Sequence, residues 1–135
     1  MKKIAVIGST GSIGVQTLNV IRRYPDKFKV VSLAAGQNSA LFSEQVKEFC
    51  PKVATIVREF DGINDLKKIS EIFVGENAFK NAIIDEADLV VISLVGFTGI
   101  IAVLSAIEKG KDIALANKES LVVGGDIVMK KAREK

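Results

Sequence analysis

The stretch Ile4-Ala5-Val6-Ile7-Gly8-Ser9-Thr10-Gly11-Ser12-Ile13-Gly14 decides how the rest of the chain is read. Its first four residues are a short continuous apolar run stopped by glycine, as in a strand buried on both faces of a parallel sheet. From Ile13 the period changes. Ile13, Val15, Leu18, Val20 and Ile21 recur at mostly helical spacing, and Pro25 ends the pattern. Three glycines therefore sit between a buried strand and an amphipathic helix. In that setting Gly8 permits a tight turn, Gly11 lets backbone approach a pyrophosphate with no Cβ in the way, and Gly14 allows close helix–sheet packing. The helix N-terminus offers N–H groups and partial positive charge to an anion, with Ser9, Thr10 and Ser12 adding hydroxyl donors. The spacing is G-x-x-G-x-x-G rather than the commoner G-x-G-x-x-G, and a tight turn without a ligand is the competing reading.

Working outward, the apolar stretches alternate between strand and helix. A second strand over 29–35 stops at Gly36, and Leu41, Phe42, Val46 and Phe49 mark a helix that Pro51 closes. A third strand is expected over 53–57. In 58–87, Leu66, Ile69, Ile72 and Phe73 suggest one helix, with a short second one over 78–86. A fourth strand over 89–95 ends at Gly96, and Ile100, Ile101, Val103, Leu104 and Ile107 form a helix ended by Gly110. A fifth strand covers 112–116, and a last helix from Leu121 is interrupted by Gly124-Gly125. This alternation predicts an α/β fold: a Rossmann-type, doubly wound parallel sheet in three α/β/α layers with right-handed crossovers. The glycine loop after the first strand gives the order 3-2-1-4-5. Neither a repeat nor a linker divides the chain, so residues 1–135 read as one domain.

Apolar residues make up 48% and charged residues 26% of the chain, values ordinary for a soluble globular protein. No apolar run approaches the roughly 20 residues that span a bilayer, and no signal-peptide pattern opens the chain, so a cytoplasmic location without a membrane partner is expected. The single cysteine, Cys50, cannot form an internal disulfide and reads as inert packing. The sequence pI of 9.0 comes from the tail. The last six residues hold four basic side chains against one acidic, and the remainder is neutral, with fifteen of each sign. A nucleic-acid partner would need basic residues clustered on one surface, so none is expected.

The end of the second strand discriminates between cofactors. An Asp or Glu there would bond a ribose 2′-hydroxyl, but the residues are Leu33-Ala34-Ala35-Gly36-Gln37-Asn38-Ser39. A carboxylate would repel a 2′-phosphate, so its absence favours NADP over NAD. The alternative is a plain turn in which Asn38 or Ser39 caps the next helix. A 2′-phosphate asks for a cation, and Arg58, just past the third strand, is the candidate. After the fifth strand, Asn117-Lys118-Glu119-Ser120 stands at the same carboxyl edge, where open α/β sheets bind ligands. Lys118 could neutralise a phosphorylated or enolate-like substrate while Asn117 and Glu119 order a nicotinamide. The segment equally reads as a polar helix start.

Taken together, Gly-Ser-Thr-Gly-Ser-Ile-Gly at 8–14, Ala-Gly-Gln-Asn at 35–38 and Ala-Asn-Lys-Glu-Ser-Leu-Val at 116–122 resemble the amino-terminal domain of the 1-deoxy-D-xylulose 5-phosphate reductoisomerases. The resemblance runs over essentially the whole chain. It implies an NADPH-dependent enzyme of the non-mevalonate route to isoprenoid precursors. Such enzymes rearrange and reduce 1-deoxy-D-xylulose 5-phosphate to 2-C-methyl-D-erythritol 4-phosphate, with a divalent metal (Mg, Mn or Co) chelating the substrate. By the same resemblance Thr10, Gly11, Ser12 and Ile13 line the pyrophosphate, and Gly36, Gln37 and Asn38 surround the adenosine ribose and its 2′-phosphate. Asn117 and Glu119 contact the cofactor, and Lys118 faces the substrate. Several relatives carry lysine where this chain has Gln37, which forgoes a charge-assisted bond typically worth about 1.5–3 kcal/mol.

The family's enzymes are several times longer, with an acidic metal-binding segment, a catalytic domain and a terminal helical domain beyond the part matched here. The expectation is thus a cofactor-binding domain with no metal or catalytic residue of its own, inactive alone and homodimeric as the whole enzyme. Two other readings compete: the cofactor domain of a different dehydrogenase, and a non-catalytic nucleotide-binding module.

Overall fold

The computed structural model describes residues 1–94 and 96–116. They form one six-stranded sheet in which every pairing is parallel. In chain order the elements are β1 (Lys2–Ile7), α1 (Ser12–Arg23), β2 (Phe28–Ala35), α2 (Ser39–Phe49), β3 (Val53–Ile56), α3 (Ile63–Leu66), β4 (Glu71–Val74), α4 (Ala78–Asn81), β5 (Leu89–Ile92), α5 (Gly96–Glu108) and β6 (Asp112–Leu115). The strand order is β4-β3-β2-β1-β5-β6. The order expected for the five predicted strands is therefore correct, with one more strand added outside β3. The last helix expected from Leu121 lies outside the described residues.

The added strand corrects the reading of 58–87. Helical spacing of Leu66, Ile69, Ile72 and Phe73 predicted one helix, but only Leu66 is buried, while Ile69 and Phe73 stay 38% and 37% exposed. A helix with those side chains inward has no core to face. Instead α3 ends after Leu66, and Glu71-Ile72-Phe73-Val74, rich in strand-favouring side chains, pairs with the outer edge of β3. That pairing satisfies backbone groups which β3 would otherwise leave open. The short second helix is present as α4.

Alternation along the strands divides the core into two layers. Ile4 and Val6 pack with Leu18 and Ile21 of α1, Phe42 and Val46 of α2, and Ile63 and Leu66 of α3. Ala5 and Ile7 pack on the other face with Ala82 and Ile83 beyond α4, and with Ala102, Val103 and Ala106 of α5. A bulge keeps β2 in step with both layers. The register against β1 jumps from Val30 to Ser32, so Val30 and Leu33 share the first layer although three residues apart. Ser32 then turns toward α4 and donates its hydroxyl to the Ala82 carbonyl at 2.6 Å, as Thr55 does to Ala78 at 2.6 Å. A four-residue helix has little stability of its own, so these two buried bonds hold α4 to the sheet.

The far ends of α1 and α2 are joined by charge. Arg22 makes a two-pronged contact with Glu48, its Nε to one carboxylate oxygen and its Nη2 to the other at 2.8 Å, and lies 5.3 Å from the Phe49 ring centre. The hydrogen bond from Arg22 holds the Glu48 carboxyl below its ordinary pKa. A lowered carboxylate pKa stabilises the fold above the ordinary value and ceases to do so as pH falls through the folded-state value. Both side chains are more than 40% exposed. Glu48→Gln should therefore cost only about 0.5 kcal/mol at neutral pH. The gap from the parent should close in urea melts as the pH falls from about 5 to below the folded-state pKa.

Candidate functional site

The glycine loop is built at the exit of β1. The N–H groups of Gly8 and Ser9 both donate to the Ala34 carbonyl of β2, at 2.8 and 2.9 Å, folding the chain back across its neighbour. Gly8 has φ +91°, and a Cβ there would stand 2.9 Å from both the carbonyl and hydroxyl oxygens of Ser93. At Gly14 a Cβ would lie 2.1 Å from the Gly8 carbonyl oxygen and 2.7 Å from the Ser9 Cα. Gly11 is different. Its φ is −77°, open to any residue, and a Cβ would meet only the Gly8 oxygen, at an ordinary 3.8 Å. The fold demands glycine at 8 and 14 and is indifferent at 11. A glycine that the chain does not need leaves room for something that is not the chain.

What that room faces is the start of α1. Gly11 is the N-cap and has no side chain to occupy the first N–H groups, and no acidic residue stands in the first turn. The first helical bond runs from Val15 N–H to the Gly11 carbonyl (2.9 Å). Thr10 is half-buried, and Gly11, Ser12 and Ile13 are exposed. Unsatisfied donors with a partial positive charge are what an anion needs. Ser9 does not belong to this set. It was expected among the hydroxyl donors, but it is fully buried, and its hydroxyl has no hydrogen-bond partner among the described residues. Its carbonyl instead accepts from Gln45 Nε2 of α2 at 2.9 Å.

Beside the loop, β2 ends in Gly36, Gln37 and Asn38. Gly36 is half-buried, and the next two are exposed. Asn38 is the N-cap of α2, with Oδ1 accepting from Leu41 N–H at 3.3 Å, and Ser39 is already helical. Rungs from Val57 N–H to the Ala35 carbonyl (3.1 Å) and from Arg58 N–H to the Gly36 carbonyl (3.4 Å) carry β3 alongside this turn. The exposed Arg58 is thus tied through its backbone to Gly36, beside Gln37. Asn117, Lys118 and Glu119 lie outside the described residues. The strand leading to them reaches the same edge, since Ala116 N–H donates to the Ile92 carbonyl at 2.9 Å. Among the described residues, no group of three or more His, Cys, Asp or Glu side chains comes together.

Two contributors escaped the sequence reading. Ser93, expected inside a strand, stands just past β5 and donates its hydroxyl to the Gly8 carbonyl at 3.0 Å, bracing the turn from the side away from β2. A lone serine in the run Leu89-Val90-Val91-Ile92-Ser93-Leu94 was its only signal. Gln45 was more legible, since 42, 45, 46 and 49 are one helical face and glutamine is its polar member. Cys50, expected as packing, is exposed. It ends α2 in the left-handed conformation, φ +46°.

A glycine turn on a central parallel strand, opening onto a helix N-terminus at the carboxyl edge of the sheet, defines the Rossmann class of nucleotide-binding domains. Comparison with known proteins narrows the class. A family model described as 1-deoxy-D-xylulose 5-phosphate reductoisomerase matches residues 4–125. The chain belongs to that family. It is 46% identical over its whole length to the 1-deoxy-D-xylulose 5-phosphate reductoisomerase of Thermoanaerobacter pseudethanolicus, of which it covers 36%. The reductoisomerase of Zymomonas mobilis, solved in complex with NADPH, superposes with a TM-score of 0.86 at 37% identity, over 98% of this chain and 36% of that one. A DOX-P reductoisomerase in complex with NADPH, fosmidomycin and magnesium gives 0.88 at 32% identity, over 99% of this chain and 34% of that one. The chain thus spans about a third of the length of these relatives. No helix among the described residues is long and apolar enough to cross a membrane.

The three glycines should separate in a thermal melt. Gly14→Ala drives a methyl into backbone that cannot yield and should cost about 3 kcal/mol or more, a fall of roughly 10 °C. Gly11→Ala has space and an accessible φ, so its stability should stay within about 1 kcal/mol of the parent.

Proposed function

We propose that this chain is the NADPH-binding part of a 1-deoxy-D-xylulose 5-phosphate reductoisomerase. The observation that carries the proposal is the unneeded glycine: room at Gly11 for a pyrophosphate, in front of the open N-terminus of α1. In this reading the backbone of Thr10, Gly11, Ser12 and Ile13 binds the pyrophosphate. Gly36, Gln37 and Asn38 hold the adenosine ribose, with Arg58 supplying the cation for its 2′-phosphate. Asn117 and Glu119 order the nicotinamide half, and Lys118 meets the phosphorylated sugar. Bound NADPH supplies the hydride that reduces the rearranged aldehyde to 2-C-methyl-D-erythritol 4-phosphate. In this reading the family's Mg, Mn or Co is held by the rest of the enzyme rather than by these residues. The family reading further carries a cytoplasmic, homodimeric whole enzyme with no nucleic-acid or membrane partner. Without the metal and substrate half, these residues bind cofactor and complete no reaction.

Titration calorimetry with NADPH and NADH side by side tests the site. Binding of both with NADPH preferred is expected. Arg58→Ala should cost about tenfold in NADPH affinity and leave NADH unchanged, the loss of one charge-assisted contact. Equal affinity of the parent for the two nucleotides would remove the 2′-phosphate assignment, and binding of neither would remove the cofactor site. Gly11→Ala should weaken both nucleotides at least tenfold while keeping its melting temperature, because the added methyl occupies the pyrophosphate approach. Incubated with 1-deoxy-D-xylulose 5-phosphate, NADPH and magnesium, the chain should show no steady NADPH oxidation; sustained turnover contradicts the division of labour proposed above.

A further inference from the structure

We infer that Gln45 is a positioning residue of the nucleotide site, holding the Ser9–Thr10 peptide so that the Thr10 N–H points outward to the bound pyrophosphate. The inference rests on the cofactor reading above and adds to it a residue buried behind the loop rather than facing the ligand.

The geometry is simple. The Ser9 carbonyl oxygen can only accept, so the Gln45 atom 2.9 Å from it is the amide nitrogen. Described residues contain no cis peptide bond, and across a planar trans peptide the C=O and the following N–H point in opposite directions. Turning the Ser9 oxygen inward toward α2 therefore turns the Thr10 N–H outward. On the other side of Ser9, its own N–H is fixed to the Ala34 carbonyl at 2.9 Å. The residue is held at both backbone groups, and Gln45 supplies the half of that grip which sets the direction of the next donor. Gln45 lies on α2, whose N-cap Asn38 stands at the ribose end of the site, so one helix supports both ends of the nucleotide.

The amide satisfies the buried Ser9 carbonyl but brings an unsatisfied atom of its own. Gln45 is 4% exposed, and its Oε1 has no hydrogen-bond partner among the described residues. Burying an unpartnered polar oxygen is unfavourable; a methionine would remove it but would leave the buried Ser9 carbonyl without its donor, so one orphan replaces another. What the amide adds over an apolar side chain is direction: it fixes which way the Ser9–Thr10 peptide points.

Gln45→Met tests this with a readout that packing would not move. The melting temperature should shift by no more than a few degrees, because the orphaned Oε1 disappears as the Ser9 carbonyl loses its donor. NADPH and NADH should weaken by the same factor, about tenfold, the loss of one well-aimed donor. The probe 2′-AMP, which carries no pyrophosphate, should bind within twofold of the parent. In the unliganded chain, the Thr10 amide resonance and its hydrogen exchange should change while those of Gly36 and Gln37 do not. Unchanged nucleotide affinity with an unchanged Thr10 amide overturns the role of Gln45 and leaves the cofactor site standing. A fall in melting temperature with all three ligands weakened alike also overturns it, as a purely structural effect. If the parent itself binds neither dinucleotide, the cofactor reading fails and this inference with it.

Discussion

The carbonyl of Gly8 stands 2.1 Å from where a side chain at position 14 would begin, and much of the architecture follows from that contact. It lets α1 start directly over the end of β1 rather than beside it. Once α1 starts there, Leu18 and Ile21 fall on the layer formed by Ile4, Val6, Val30 and Leu33. The chain then fills the sheet outward through β2, β3 and β4, with α1, α2 and α3 on one face. It crosses the opposite face through α4, held over β2 and β3, returns to the other side of β1 for β5 and β6, and covers these with α5. Strand order therefore reverses at β1, and the crevice at such a reversal is where open parallel sheets bind ligands. The glycine loop sits over that crevice with Ala34 bonded on one side and Ser93 on the other.

Buried and half-buried hydroxyls hold elements here that longer helices would hold by packing. Ser32 and Thr55 hold α4, Ser70 donates to the Pro51 carbonyl at 2.5 Å near the start of β3, and Ser93 braces the loop. Each is a short side chain on or beside a strand, reaching a carbonyl that no ladder partner uses. A satisfied buried hydroxyl fixes direction as well as distance, which a methyl of similar size does not. Ser9 is the exception, its hydroxyl buried without a partner among the described residues while its two backbone groups are held.

The sequence made the central elements legible because their signals are local. A run such as Ile4–Ile7 with glycine behind it is buried on both faces whatever else the chain does, and the strand–helix alternation around it leads to the sheet order. The stretch 58–87 failed because its apolar residues satisfy two periods at once. Which period wins depends on whether β3 has a free edge, a fact written far from Ile72. The loop's place between strand and helix was readable from its glycines, but not which of them the fold itself requires. That distinction comes from distances across the loop to Gly8 and Ser93. Gln45 shows a third kind of limit: its helical face was visible, but its partner, the Ser9 carbonyl, is a backbone atom with no mark in the sequence.

The 2′-phosphate problem turns on where a cation can stand. A lysine at position 37 would reach the phosphate as a flexible point charge from the turn after β2. With Gln37 in that place, the candidate cation is Arg58, just past the neighbouring strand, whose backbone is tied to the same turn through Gly36. The substitution of one arrangement for the other is not neutral in kind. An ammonium attracts a dianion from any direction, whereas a guanidinium offers two parallel N–H groups and is satisfied in one orientation. Carrying that fork two residues past β3 rather than on the turn after β2 ties its backbone to the sheet through the Val57 and Arg58 rungs to Ala35 and Gly36. Recognition by Arg58 would then discriminate by geometry as well as by charge, and should lose less to added salt than recognition by an exposed lysine, whose attraction is mostly screened Coulomb energy.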